Sequence, residues 1–315
     1  MLHDFVDRIP LGPNGWETHV AGHPAGALLL FVFLVRLGLG GSLAVGIFIT
    51  LVASTIPAAV LTTLKALGAE RHARSVAPFL CFTPAVIWEV VSADAIYACL
   101  AAWAIAALTL GAVRRSIAWC CVSGALFGVG VEMSYGLPLM ATLAVAVLII
   151  VRTHRPIGWS LAAALLVIAM MWLGGFSLWD AYPAIHQRYW AGVASQRPAT
   201  YWLWGDLAAL CFSAGPILGS CVASWIQTIR VAQRSSSEAS LDSRVVVLLG
   251  GAALLSVIAA DISLMSKAEV ERIWLPFIPW LLTMCALLPQ RWKRPALLLQ
   301  VLSALLVQHL LLTGW

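Results

Sequence analysis

Charged residues are scarce in this chain, and their scarcity excludes an ordinary water-soluble protein. Only 10% of its 315 residues are charged, 61% are hydrophobic, and the mean hydropathy is +0.92. Soluble domains usually carry about 25% charged residues. No polar block is long enough to form a soluble domain. The composition therefore predicts a multi-pass protein of the cell membrane, built as a single transmembrane domain over residues 1–315.

Three further absences narrow the class of protein. The seven cysteines form no CxxC pair or Cys/His cluster and lie in apolar runs, so we interpret them as packing residues. The net charge of +5 comes without a basic stripe or an aromatic platform, which argues against nucleic acid as a partner. The first 25 residues are polar or mixed, so no signal peptide is expected there.

The apolar runs predict an all-α bundle. Because a span needs about 20 apolar residues, we expect roughly 9–11 transmembrane helices. The candidate spans are 43–64, 76–90, 93–112, 116–131, 136–151, 157–176, 203–226, 245–262, 273–289 and 296–313. The run 25–37 is shorter and ends in a glycine-rich breaker. We expect a re-entrant or half helix there, with residues 1–24 as an outer segment.

The basic residues occupy alternate loops. Thirteen of the 19 Lys and Arg residues fall at 65–74, 114–115, 152–155, 227–244 and 291–294. By the positive-inside rule these loops are cytoplasmic, and most of the acids then lie on the outer side. The largest outer loop, 177–202, is rich in aromatic residues. It fits either an interfacial aromatic belt or a site for a sugar or lipid phosphate.

Residues 261–280 place an unusual density of charge between two apolar runs. A helix from Met265 would bring Lys267 and Glu271 together at i,i+4, and Glu269 and Arg272 at i,i+3. Opposite charges could then pair on one short turn. The alternative is an ordinary charged loop at a membrane boundary.

Four short motifs carry a family resemblance: Gly22-His23-Pro24-Ala25-Gly26, Ser92-Ala93-Asp94-Ala95, Tyr189-Trp190-Ala191-Gly192 with Arg197-Pro198, and residues 269–274. With them the chain resembles the actinobacterial branch of the GT-C glycosyltransferases. The resemblance implies a GT-C-like helical bundle. It also implies transfer of a sugar from a polyprenyl-phosphate donor to a cell-wall glycan or lipid acceptor at the outer face. The chain departs from the family at Ala25, where a second proline is frequent.

The family begins with a transmembrane helix and an outer loop that bears the acid regarded as catalytic base. Residue 1 of this chain looks like the tail of that loop. We therefore expect either a start further upstream or a shortened, inactive relative. On the second alternative the chain would bind a polyprenyl phosphate but transfer sugar slowly, because loss of a general base typically costs about 10²- to 10⁴-fold.

Such a reaction needs a carboxylate that takes a proton and cations that stabilise the departing phosphate. Asp94 and Glu132 are the candidate catalytic acids, although Asp94 would equally serve as a helix-capping residue. The candidate substrate-binding residues are His23, Tyr135, Arg188, Arg197, Lys267, Glu269, Glu271 and Arg272. For the cations among them, a loop or snorkelling charge is the alternative. We expect His23, Asp94, Glu132, Glu269, Glu271 and Arg272 to approach one cavity at the outer surface.

No cluster has metal-ligand spacing, so we expect neither a tightly bound metal nor a cofactor, although two outer carboxylates could share a loosely held divalent ion. The rival function is a transporter or flippase for a lipid-linked or polar solute. Transporters place ionisable groups near the bilayer midplane and show inverted repeats with broken helices. In this sequence the acids fall at the ends of spans, which favours the enzyme.

Overall fold

The computed structural model describes residues 2–90, 92–234 and 241–311. All regular secondary structure in those residues is helical, and they contain no strand, which confirms the predicted all-α class. Residues 235–240 of the predicted loop 227–244 lie outside the described residues, as does the end of the last predicted span.

We number the α-helices in chain order. Those up to residue 151 are α1 (Thr18–Ala21), α2 (Ala25–Arg36), α3 (Ser42–Ala53), α4 (Ile56–Ala66), α5 (Glu70–Cys81), α6 (Val86–Glu89), α7 (Ala93–Arg114), α8 (Ile117–Val131) and α9 (Ala141–Val151). The others are α10 (Arg155–Leu173), α11 (Leu178–Ala191), α12 (Ala199–Ala214), α13 (Leu218–Arg234), α14 (Leu241–Ile262), α15 (Val270–Ile273), α16 (Ile278–Leu282) and α17 (Gln290–Leu310). Short 3₁₀ turns occupy Val6–Arg8, Leu137–Met140, Val193–Gln196 and Thr283–Leu287.

Helix α7 is the central helix of the core. Most of its side chains are buried, and α3, α4, α8 and α9 pack around it. Its many alanines let those neighbours approach closely, as small residues do between membrane helices. Ser92 caps its start, where the Ser92 hydroxyl oxygen accepts the Asp94 N–H at 3.1 Å. The helix ends at Arg114, and the next residue, Arg115, takes a left-handed backbone conformation with φ of 54°.

Four helical segments in the described residues are long and apolar enough to cross a membrane. They are Ser42–Ala66, Ala93–Arg114, Arg155–Leu173 and Asp242–Ile262. A fifth is present if α12 and α13, bent by 97° at their junction, form one broken span. These segments fit a polytopic membrane protein but are fewer than the roughly 9–11 spans predicted from the apolar runs.

Proline and glycine interrupt two of the predicted spans. The predicted span 76–90 is divided into α5 and α6 around Pro84. The predicted span 203–226 breaks at Gly215, whose φ of +93° is outside the helical region. Proline removes a backbone donor and clashes with the preceding turn, so an apolar run that contains it need not be one helix. Length and hydropathy alone therefore overcounted the continuous helices.

The run 25–37 forms the twelve-residue helix α2. At 1.5 Å per residue it is about 18 Å long, which is shorter than the roughly 30 Å hydrocarbon core of a bilayer. The segment before it folds back onto the chain. Phe5 and Ile9 are buried in a small cluster with Phe176 and Ala181, apart from the main core.

Close packing of α8 on α10 depends on glycine. A Cβ atom at Gly124 would lie 1.9 Å from the carbonyl oxygen of Ser160, so the two helices could not keep their separation. Gly158, also on α10, has open space where its Cβ would be. The two glycines therefore form a matched pair for substitution.

We predict that Gly124→Ala destabilises the folded protein by about 1–3 kcal/mol, since overpacking a tight contact costs that much. Gly158→Ala should be neutral or slightly stabilising, because alanine is the better helix former. Thermal unfolding of both variants in the same detergent checks this. A similar change in melting temperature for both variants would contradict the close α8–α10 contact.

Candidate functional site

A cluster of three charged side chains joins α7 to α15. Arg272 donates from Nη1 to Oδ2 of Asp94 at 2.7 Å and from Nη2 to Oε2 of Glu269 at 2.5 Å. The Arg272 and Asp94 side chains are only 17% and 6% exposed, whereas Glu269 is 28% exposed. Burial opposes the charge on Arg272, but the two carboxylates outweigh it and raise the pKa of the guanidinium above its usual value.

Asp94 is held at the first turn of α7. The Ser92 hydroxyl lies 3.2 Å from Asp94 Oδ2, the oxygen that also accepts from Arg272. A carboxylate is stabilised at a helix N-terminus by the helix dipole. The other oxygen, Oδ1, accepts no hydrogen bond from the described parts of the chain, so a ligand in the adjoining cavity could bond to it.

The loop before α15 holds an unusual backbone conformation. Leu264, Ala268 and Glu269 all have positive φ values of 56°, 70° and 60°, which cost non-glycine residues about 1–2 kcal/mol each. Neighbouring groups stabilise the loop. Buried Asp206 of α12 accepts the Ala268 N–H at 2.9 Å through Oδ1. This contact helps to hold Glu269 beside Arg272.

Lys267 fixes the same loop to the segment 189–197. Its Nζ donates to the carbonyl oxygens of Ala194 and Arg197 at 2.6 and 2.9 Å, and lies 4.4 Å from the Trp190 ring centre. The Lys267 N–H donates to the Tyr189 hydroxyl at 3.0 Å. These contacts make Lys267 a structural cation within the loop.

The other two predicted phosphate-binding arginines also contact backbone oxygens. Arg197 donates to the carbonyl oxygen of Lys267, and Arg188 donates to that of Ile9 at 2.7 Å. Neither lines the cavity beside Arg272. Arg188 thereby joins α11 to the N-terminal segment, and Arg197 joins the turn after α11 to the loop before α15.

A cavity of about 610 Å³ lies beside the charged cluster. Helices α1, α2, α6, α7 and α15 enclose it. Its main polar lining residues are His19, His23, Ser92, Asp94 and Arg272. Its apolar and aromatic wall includes Leu28, Phe31, Ile87, Trp88, Val90 and Tyr97. Val90 is 48% exposed, so the apolar side of the cavity reaches the protein surface.

Two nitrogen atoms of the cavity residues are buried without a hydrogen-bond partner among the described residues. They are Nδ1 of His23 and Nε1 of Trp88. The His23 ring lies 5.2 Å from that of Tyr97. Burial lowers the pKa of His23 below its usual value, and the nearby Asp94 carboxylate only partly offsets this. Both nitrogens belong to residues that line the cavity.

Glu132 and Tyr135 lie next to the cavity residues but not in its lining. The Gly26 N–H at the start of α2 donates to the Glu132 carbonyl oxygen at 2.9 Å. Glu132 is 3% exposed, and burial raises its pKa to about 7. Its Oε2 and the Tyr135 hydroxyl are both buried and unpartnered in the described chain. Burial is also the main cause that raises the Tyr135 pKa.

The structure therefore brings His23, Asp94, Glu269 and Arg272 together. Glu271 stays beside them without an ion pair in the described residues, and burial followed by the nearby Glu269 charge raises its pKa. Among those residues, no group of three or more His, Cys, Asp or Glu side chains is arranged to hold a metal ion.

Sequence reasoning missed Trp88 and Asp206. Trp88 sits within an apolar run, so nothing in the pattern distinguished it from a core aromatic residue. Asp206 was detectable, because an acid within an apolar helix is costly and usually has a role. Its observed role is to accept the Ala268 N–H and so support the loop that carries Glu269.

Comparison with known proteins gives no match: no family model, curated protein or solved structure is similar to this chain. The comparisons thus assign no family, fold relative or activity.

The buried Glu132 carboxyl should make the free energy of unfolding depend on pH. Burial raises the pKa of the Glu132 carboxyl from 4.5 to about 7 in the folded protein. Between these two pH values the folded protein keeps the proton on Glu132, whereas the unfolded chain releases it. The free energy of unfolding should therefore fall as the pH rises between those two values and level off above them. Glu132→Gln should remove that contribution and raise the melting temperature at pH 8. The exposed Asp180→Asn is the control, and an unchanged pH slope in Glu132→Gln would contradict the assignment.

Proposed function

We propose that this chain is an integral membrane glycosyltransferase-like protein. It would transfer a sugar from a polyprenyl-phosphate donor to a cell-envelope acceptor at the outer face of the cell membrane. The observation that carries the proposal is one cavity in which a buried carboxylate and guanidinium adjoin an aromatic and apolar wall. A lipid-linked sugar likewise joins a polar part, the sugar and phosphate, to an apolar hydrocarbon chain.

The polar end of the cavity suits a sugar. Asp94 Oδ1 can accept a hydroxyl proton, and the Trp88 N–H and His23 Nδ1 are further hydrogen-bonding groups. Trp88 and Tyr97 contribute aromatic rings to the cavity lining. Asp94 is the proposed general base, because among the two candidate acids it is the one that lines the cavity.

The apolar end suits the lipid part of the donor. Leu28 and Phe31 of α2 and Ile87 and Val90 of the α6 region belong to the cavity lining. With Val90 exposed, a polyprenyl chain could run from the cavity into the surrounding bilayer. The acceptor, a cell-wall glycan or a lipid, would approach Asp94 from the aqueous side. A GT-C-like arrangement of the helices is part of the same proposal.

A transporter of a lipid-linked or polar solute is the second candidate, favoured by one observation. Helices α12 and α13 meet at a 97° bend, and α12 carries the buried Asp206. Broken helices with buried charges line substrate sites in transporters. At this break, however, Gln300 donates to the Ala214 carbonyl oxygen at 2.8 Å, and Asp206 bonds to Ala268. The Ala214 carbonyl oxygen and the Asp206 carboxylate are thus engaged within the protein.

The test uses the purified chain in lipid nanodiscs, with labelled polyprenyl-phosphate sugars and a cell-envelope fraction as acceptor. Asp94→Asn should lower transfer by about 10²- to 10⁴-fold, the usual contribution of a general base. Asp180→Asn, a change of an exposed acid outside the cavity, should leave transfer unchanged. Full transfer by Asp94→Asn would exclude its proposed role. Absence of transfer, with solute uptake into proteoliposomes that Asp206→Asn abolishes, would favour the transporter.

A further inference from the structure

The two carboxylates on Arg272 differ in how firmly each is held. Asp94 is nearly inaccessible, belongs to the regular helix α7 and has the Ser92 hydroxyl beside it. Glu269 belongs to a loop, has a positive φ and is 28% exposed. Within the described residues, its side chain accepts one hydrogen bond, from Arg272 Nη2. Glu269 is therefore the partner that water or a ligand can replace.

Like charge also weakens the position of Glu269. The nearby Glu271 carboxylate is half-buried and has no ion pair in the described part of the chain. The two acids repel each other, which is one cause of the raised pKa of Glu271. Moving Glu269 away from the cluster would relieve that repulsion.

The charge of the cluster decides which ligand it can accept. One guanidinium with two carboxylates has a formal charge of −1, and burial lowers the pKa of the adjoining His23, which opposes a compensating positive charge there. A phosphate ester would be repelled by this cluster while Glu269 remains. Arginine binds phosphate and carboxylate oxygens through the same N–H geometry. The Nη2 group that now donates to Glu269 is therefore a suitable donor to a phosphate oxygen.

We propose that Glu269 is an internal substitute for the phosphate group of the ligand and covers Arg272 until that ligand binds. This inference rests on the proposed function, which supplies a phosphate ester attached to an isoprenoid chain. On binding, the phosphate displaces Glu269 from Nη2, while Asp94 keeps its bond to Nη1. Glu269 thereby selects ligands whose apolar chain provides enough binding energy to displace it.

The experiment measures equilibrium binding of radiolabelled farnesyl phosphate to the full chain in nanodiscs. Glu269→Gln removes the carboxylate charge that competes with the phosphate and should tighten binding by about tenfold. A change of this size is expected when one partly exposed charge of the same sign as the ligand is removed from beside it. Glu269→Gly removes the carboxylate at a position where glycine adopts the positive φ without strain, so it tests the same effect with the loop preserved.

Three controls separate the proposal from general effects of charge. Glu271→Gln removes the same charge two residues away and should change the affinity less than twofold, since the charge it removes does not lie on Nη2. Binding of uncharged farnesol should be the same in the wild type and in Glu269→Gln. In the double variant of Arg272→Gln and Glu269→Gln, the tighter binding of farnesyl phosphate that Glu269→Gln produces should be lost. Together these outcomes would support displacement at Arg272.

Three results would contradict the proposal, and each has a different meaning. If the wild type binds farnesyl phosphate and both Glu269 variants bind it no more tightly, Glu269 is not a substitute for phosphate, and the proposed function stands. If no variant binds farnesyl phosphate, the inference and the proposed donor class both fail. If inorganic phosphate displaces farnesyl phosphate from Glu269→Gln at equal concentration, the ligand is free phosphate, which overturns the lipid source.

Discussion

A buried guanidinium must be matched by negative charge, and at Arg272 this requirement joins two distant parts of the chain. Moving a charged group out of water costs roughly several kcal/mol unless ionic hydrogen bonds replace its hydration. Asp94 on α7 and Glu269 on the loop before α15 supply those bonds. Because α7 is the centre of the core, the pairing fixes the position of α15 against it. The cavity lies where the two helices and α2 meet.

The loop that carries Glu269 reaches Arg272 only because other contacts support its strained backbone. Lys267 is bonded to the carbonyl oxygens of Ala194 and Arg197, and Asp206 holds the Ala268 N–H. Residues of α11, α12 and the turn between them therefore help to set the geometry at Arg272 without entering the cavity. Such preorganisation is what keeps a weakly held carboxylate in place until a ligand competes for the same nitrogen.

The part of the site that could be predicted from sequence follows from charge and position. Asp94 and Arg272 each interrupt apolar sequence, and the positive-inside pattern put both on one side, which was enough to expect them together. That pattern could not distinguish Arg272 from Lys267, because both belong to the same outer stretch and only the contacts show which one faces the cavity. The helix breaks at Gly215 and Pro84 were missed for a related reason: hydropathy records where a segment is apolar and not whether its backbone is continuous.

The most direct measurement of the central claim is the coupling free energy between Asp94 and Arg272 in a double-mutant cycle. The free energy of unfolding would be measured for wild type, Asp94→Asn, Arg272→Gln and the double variant in the same mixed micelles. A buried, hydrogen-bonded pair at the heart of the fold predicts a coupling of about 2 kcal/mol or more. The exposed pair of Glu70 and Arg74, on one face of α5, provides the comparison cycle. A coupling between Asp94 and Arg272 no larger than that of the exposed pair would contradict the account.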